Sequence, residues 1–276
     1  MTKIEWCDKT INPIVGCTKV SEACTNCYAA KMAYRLAHIP ATAEKYKGLT
    51  CKTGDSIQWT GKVHFDSTDL NKILKWKKPK RIFISSMGDL FHETVESKDI
   101  EAIIGIMSLC AQHIFIILTK RPERMFDWFS KYNNIGQIQS ELPYHLIEYR
   151  TPIRNIERGD SKYINKYPLP NLWLGVTCEN QRTADERIPI LLEIPATVRF
   201  VSCEPLLSPI DLTQYLHRLN QCIVGAETGY GKRPMEISWA LSLRNQCIKA
   251  GVPFFFKKDS NGNHELAGMV YEEYPL

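Results

Sequence analysis

The chain has 276 residues, 44% of them apolar, and a formal net charge of +5. That is enough apolar material for one large α/β unit, and α/β barrels reach this size as a single domain, so 1–276 is expected to fold as one body. No run of about eighteen apolar residues occurs, which argues against a membrane-spanning helix. The opening Met1-Thr2-Lys3-Ile4-Glu5-Trp6 lacks the apolar core of a signal peptide. Ten cysteines fall far below the density of a disulfide-stapled secreted domain, so free thiols and a cytoplasmic location are expected.

The first expected strand is Pro13 to Gly16. It runs into Cys17-Thr18-Lys19-Val20-Ser21-Glu22-Ala23-Cys24-Thr25-Asn26-Cys27, a polar, turn-like stretch with cysteines spaced C-x6-C-x2-C. Three thiolates this close on one loop can hold three corners of a [4Fe–4S] cluster, leaving the fourth iron open to a ligand that is not protein. An open iron can bind S-adenosylmethionine (SAM) through its amino and carboxylate groups and reduce it to a radical. Zinc is the rival, since C-x2-C also suits tetrahedral thiolate sites and Cys7 could be a fourth ligand. No second C-x2-C and no H-x3-H pair follows, however. Next to Trp6 and Ile4, Cys7 is expected instead to be a small apolar plug, and Cys110, Cys222 and Cys247 lie in apolar patterns that suit a core.

Tyr28 to Ala37 is rich in strong helix formers, and the positive end of that helix would lie beside the cysteine loop. Residues 40–67, broken by Gly48, Gly54 and Gly61, are expected to be irregular. Asp69 to Trp76 is expected as a helix. Then short apolar strands alternate with helices: strands at Arg81–Ser85, His113–Leu118, Asn171–Val176, Thr197–Val201, Cys222–Gly225 and Val252–Phe256, and helices including Lys98–Cys110 and Ser238–Lys249. Strands apolar on both faces, alternating with helices, point to a parallel sheet covered on both sides. With Pro13–Gly16 there are about seven, so the expected fold is α/β, a partial or complete parallel (β/α) barrel. A doubly wound open sheet is the alternative.

Polar residues gather after these strands rather than before them: Ser86 and Asp89, then Thr119, Lys120 and Arg121, then Thr177, Glu179 and Asn180, then Ser202 and Glu204, then Glu227 and Thr228, then Lys257. The carboxyl ends of parallel barrel strands form one rim, where active sites lie. Opposite charges suggest roles there. Lys120 or Arg121 suits the carboxylate of SAM; Glu179 or Glu204 suits its amino group or ribose hydroxyls; Gly225 would let backbone approach an adenine. Ser86, Asp89, Thr119 and Glu227 complete the expected cofactor-binding set. His92, next to Phe91, is a candidate proton donor or a structural histidine. A solvated turn at Lys120-Arg121 and a helix cap at Glu179-Asn180 are the bland alternatives.

The segment from Pro122 to Pro170 is long for a connection in this pattern and is expected to be an insertion. It interleaves Tyr132, Tyr144, Tyr149, Tyr163 and Tyr167 with Arg150, Arg154, Arg158, Lys162 and Lys166, as a surface that stacks on bases and contacts phosphates would. Its acids Glu141, Glu148, Glu157 and Asp160 fit a solvated cover equally well. Ala41 to Arg81 holds ten Lys/Arg against four Asp/Glu, which favours a nucleic-acid partner.

The stretch Ile11-Asn12-Pro13-Ile14-Val15-Gly16-Cys17 through Cys27-Tyr28-Ala29 resembles a phage and bacterial protein family described as radical-SAM-like with a three-Cys motif. So do Ser86-Met87-Gly88-Asp89-Leu90-Phe91-His92-Glu93, Leu118-Thr119-Lys120-Arg121-Pro122-Glu123-Arg124, Trp173-Leu174-Gly175-Val176-Thr177-Cys178-Glu179-Asn180, Arg199 through Leu207, Val224-Gly225-Ala226-Glu227-Thr228-Gly229 and Phe254-Phe255-Phe256-Lys257. These matches run in order over nearly the whole chain. The resemblance implies a barrel of the radical-SAM type, a cluster on Cys17, Cys24 and Cys27, SAM, and an electron donor such as flavodoxin or ferredoxin. For a phage protein it also implies the host cytoplasm. The C-x6-C-x2-C spacing is wider than the C-x3-C-x2-C of most radical-SAM enzymes, and the family has no settled reaction. Three functions stay open: a radical enzyme acting on a nucleic-acid base, as in phage DNA modification; the same chemistry on a protein or small metabolite; and a cluster- or zinc-stabilised binding module that is no enzyme.

Overall fold

The computed structural model describes residues 4–131, 167–229 and 231–275. Seven parallel strands lie side by side in chain order: β1 (Lys9–Ile11), β2 (Arg81–Ile84), β3 (Ile114–Thr119), β4 (Leu172–Thr177), β5 (Val198–Cys203), β6 (Gln221–Val224) and β7 (Phe254–Phe256). The sheet curls into a half-barrel. Helices α1 (Tyr28–Leu36), α2 (Pro40–Tyr46), α3 (Leu70–Lys75), α4 (Ser97–Leu109), α5 (Pro122–Lys131), α6 (Gln181–Glu193) and α7 (Ile237–Ala250) complete the described α/β unit. Among the described residues no helix is long and apolar enough to cross a membrane.

Strands β2 to β7 form because they are runs rich in β-branched and aromatic residues with apolar side chains on both faces. Alternation sorts them into two cores. Ile82, Ile84, Phe115, Ile117, Val201, Cys203, Cys222, Val224, Phe254 and Phe256 face outward into one large cluster with α4, α5, α6 and α7. Phe83, Ile116, Trp173, Val198, Phe200, Ile223 and Phe255 face inward into a second cluster, which Trp6 and Cys7 join. Cys7 is thus buried in the inner core, where its thiol lies 3.6 Å from the Ile4 carbonyl oxygen. Gly175 on β4 makes room for the inner core: a Cβ there would stand 2.4 Å from the Phe200 ring.

Two local expectations are corrected. The first strand of the sheet is Lys9–Ile11, paired with β2, and not Pro13–Gly16. Pro13 has no N–H to give the ladder, and Ile14–Val15 pairs antiparallel with His64–Phe65 instead. The stretch 40–67 is ordered: it holds α2 and a hairpin of Thr50–Thr53 with Ser56–Trp59, turned at Gly54 with φ 59°. The expected insertion begins with a regular helix, α5, which buries Met125, Trp128 and Phe129. The Tyr167 hydroxyl donates to the Phe129 carbonyl at 3.4 Å, so this tyrosine packs on the fold. The remaining tyrosines and basic residues of that segment lie at 132–166, outside the described residues.

Candidate functional site

The cysteine loop crosses the carboxyl end of the half-barrel, and its entry depends on Gly16. That residue has φ 98°, a conformation L side chains rarely adopt, and a Cβ on it would stand 2.2 Å from the Lys62 carbonyl oxygen. Gly16 then bridges to Gly88, beyond β2. Cys24 ends a 3-10 turn (Glu22–Cys24), and Cys27 is the N-cap of α1, so Tyr28 begins the helix beside the thiols, as the composition predicts.

Four strand ends hold this loop. After β2, the Ser86 carbonyl accepts the Tyr28 hydroxyl at 2.9 Å, and His92 Nε2 meets Thr18 Oγ1 at 3.2 Å. After β3, buried Arg121 reaches Thr18 Oγ1 at 2.6 Å and Cys17 Sγ at 3.6 Å. After β4, Asn180 donates to Glu22 Oε1 at 2.6 Å. After β6, Glu227 accepts from Asn26 Nδ2 at 2.9 Å and pairs with Arg233, which also donates to the Glu22 carbonyl at 3.1 Å. Burial works against the charge on Glu227, but hydrogen bonds from Arg233 and Asn26 outweigh it and hold this carboxyl below its usual range.

All three thiols are half-buried and free. Burial pushes Cys17 up to about 12; Asp89 adds to the rise, Arg121 opposes it, and Cys24 lies close enough to contribute. Three free thiols on a fixed, polar loop are a donor set for an iron–sulfur cluster or for zinc. Among the described residues no three His, Cys, Asp or Glu side chains form a group that could hold a metal ion as they stand. The fit of the thiols to a metal centre therefore rests on their chemistry and their place.

Below the loop, the inner wall changes character. Two residues beyond inward Gly175, Phe200, Ile223 and Phe255, the same face carries Thr177, Ser202, Gly225 and Lys257; Lys120 follows Leu118 and Glu204 follows Ser202 at the same interval. Thr177 pairs in register with Ser202, and Lys120 Nζ lies 3.4 Å from Thr177 Oγ1. Lys257 contacts Glu204 and stands 3.8 Å from Glu5. Burial disfavours its charge, but Glu204 and then Glu5 hold its pKa above the ordinary value. Gly225 has a packing reason to lack a side chain, since its Cβ would sit 3.3 Å from Lys257 and 3.4 Å from Glu204. The hydroxyls of Ser85 and Ser202 are buried without a partner among the described residues.

The residues expected at the rim therefore divide. Lys120, Glu204 and Gly225 share the inner wall. Asp89 is a buried hub that accepts from Thr119 Oγ1 at 2.7 Å, Lys120 N at 3.2 Å and Arg121 Nη1 at 3.1 Å. The Ser86 hydroxyl donates to Asn12 Oδ1 at 3.1 Å. Glu179 is fully buried and paired with Arg187 of α6 at 2.8 Å; its other oxygen has no partner among the described residues. His92 is also buried, and burial first, then Arg121, lowers its pKa. Sequence reasoning did not single out Tyr28, Thr18, Glu93, Asn26 or Arg233. Only Tyr28 carried a signal, its place directly after Cys27.

A family model described as "Protein of unknown function (DUF5131)" matches residues 1–272. No curated protein and no solved structure matches the chain. The family match takes in the cysteine loop and every strand of the half-barrel, and the chain belongs to the DUF5131 family.

Proposed function

We propose that this protein is an iron–sulfur, SAM-dependent radical enzyme, with Cys17, Cys24 and Cys27 as the protein ligands of a [4Fe–4S] cluster. The observation that supports this reading is the fastening of the three-cysteine loop across the strand-end rim, above an inner wall that turns polar at that level. When bound, cluster and SAM supply one-electron cleavage of the sulfonium and hydrogen abstraction from a substrate. The chain's own residues bind and orient. Lys120, which has no ion pair among the described residues, offers its ammonium to the methionyl carboxylate. Glu204 accepts from the amino group or the ribose hydroxyls while Lys257 balances its charge. The apolar wall of Phe83, Ile116, Phe200, Ile223 and Phe255 excludes water from beneath.

The substrate class in this reading is a nucleic-acid base. Its support is the basic stretch, in which Asp66 and Asp69 are taken up by Lys45 and Lys72, while Lys47, Lys52, Lys62, Lys75, Lys77 and Lys78 stay exposed. An acidic redox protein such as flavodoxin or ferredoxin would supply the electron. The test of the cluster is replacement of each cysteine in turn: Cys17→Ala, Cys24→Ala and Cys27→Ala should each abolish the visible absorption of the anaerobically reconstituted protein. Full clusters in all three variants would sink the assignment.

A further inference from the structure

Arg121 is an expected ligand of the SAM carboxylate, yet it has nothing left to offer one. A guanidinium carries five N–H groups in a rigid fork. Nε donates to Glu93 Oε1 at 2.9 Å; Nη1 donates to Asp89 Oδ2 at 3.1 Å and to Cys17 Sγ at 3.6 Å; Nη2 donates to Thr18 Oγ1 at 2.6 Å and the Thr18 carbonyl at 3.4 Å. Five donors meet five acceptors, and the side chain is buried. Three of those acceptors belong to the first cysteine of the loop and its neighbour.

The other end of the fork is anchored to the sheet. Asp89 is fixed by the Thr119 hydroxyl and the Lys120 and Phe91 amides, and Thr119 Oγ1 in turn accepts the Arg121 amide at 2.9 Å. Thr119 is the last residue of β3. A continuous run of hydrogen bonds thus leads from a strand end, through one carboxylate and one guanidinium, to a single sulfur. Lysine could keep the charge but not the fork, because its ammonium is a point donor on a flexible stem.

We infer that Arg121 is a positioning residue: it sets where Cys17 stands relative to the sheet and supplies an N–H···S hydrogen bond to that sulfur in the loaded protein. The second half of this inference rests on the cluster reading above. Hydrogen bonds to cluster sulfurs favour the reduced, more negative state. The fork therefore raises the potential at which the cluster accepts an electron.

The experiment uses the full-length chain in two states. In the metal-free protein, hydrogen–deuterium exchange is followed over residues 17–27 in wild type, Arg121→Lys and Thr18→Val. The clamp predicts roughly tenfold faster exchange of the loop in both variants, as expected when hydrogen bonds to a charged group are removed, with α4 unchanged. In the reconstituted protein, Arg121→Lys should keep wild-type iron content and take up its electron at a more negative potential. Loop exchange that matches wild type, or that rises equally in α4, overturns the clamp. An unchanged potential in a fully loaded Arg121→Lys overturns the N–H···S bond. If wild type takes up no cluster at all, the enzyme reading fails, while the exchange result still decides the clamp.

Discussion

His92 shows how one residue can tie the loop to pH. Its Nδ1 accepts the Thr94 amide at 3.3 Å, which leaves the proton on Nε2, where it donates to Thr18. Protonating Nδ1 would set an N–H against that amide and leave it the Thr94 hydroxyl, 3.0 Å away, as acceptor. Burial, Arg121 and Arg124 push the pKa down, while Glu93 and Asp89 push it up and do not prevail. A folded pKa below the ordinary histidine value of about 6.5 means a contribution to stability that is complete above that pH and is lost as pH falls toward the folded value. Thermal melts of wild type should therefore show a fall in stability below about pH 6.5, and the fall in that window should be smaller in His92→Gln; equal slopes would refute this. Gly16→Ala is expected to cost about 1–3 kcal/mol from its left-handed backbone alone, with the clash at Lys62 in addition. Denaturant titration measures it, and a neutral result would contradict the placement of the loop. The three cysteines were legible in the sequence because their spacing carries chemistry by itself. The acceptors of Arg121 and the partners of Glu227 were not, because they are 28 to 104 residues away from Arg121 and up to 201 residues away from Glu227, and no local pattern encodes such pairs.

At the scale of elements, strand alternation does most of the positioning. Phe200 fills the space Gly175 leaves, so Gly175→Ala forces the ring or the strand to move and should destabilise by about 1–3 kcal/mol, read as a lower denaturation midpoint. Cys7→Ala, by contrast, removes one sulfur from the inner core and should cost about 1 kcal/mol while leaving iron content intact; loss of the cluster in that variant would make Cys7 a ligand. Six of the seven strands, and α1, α3, α4 and α7, were legible because each is a run with clear apolar period or strong propensity. β1 was not, because a three-residue edge strand with one buried side chain, Ile11, has no period to detect. The hairpin at 50–59 was missed because its faces are almost wholly exposed or half-exposed, so burial writes little pattern into it.

For the molecule as a whole, the charged residues that touch the cysteine loop, Arg121, Glu227 and Arg233, all follow carboxyl ends of strands in one sheet. The exposed lysines between 47 and 78 give the nucleic-acid proposal a quantitative form. Triple replacement of Lys47, Lys52 and Lys62 by Gln should weaken DNA binding about equally for all sequences, and should lower the salt slope by roughly 0.9 for each phosphate that is no longer neutralised. An unchanged slope would remove this face from the interface. The central claim is tested most directly by anaerobic reconstitution of the wild-type chain, reduction, and assay for 5′-deoxyadenosine after addition of SAM. The account predicts roughly four iron atoms per chain and 5′-deoxyadenosine that forms only when SAM and reductant are both present. A protein that binds zinc in place of iron, or a full cluster that leaves SAM intact, would contradict it.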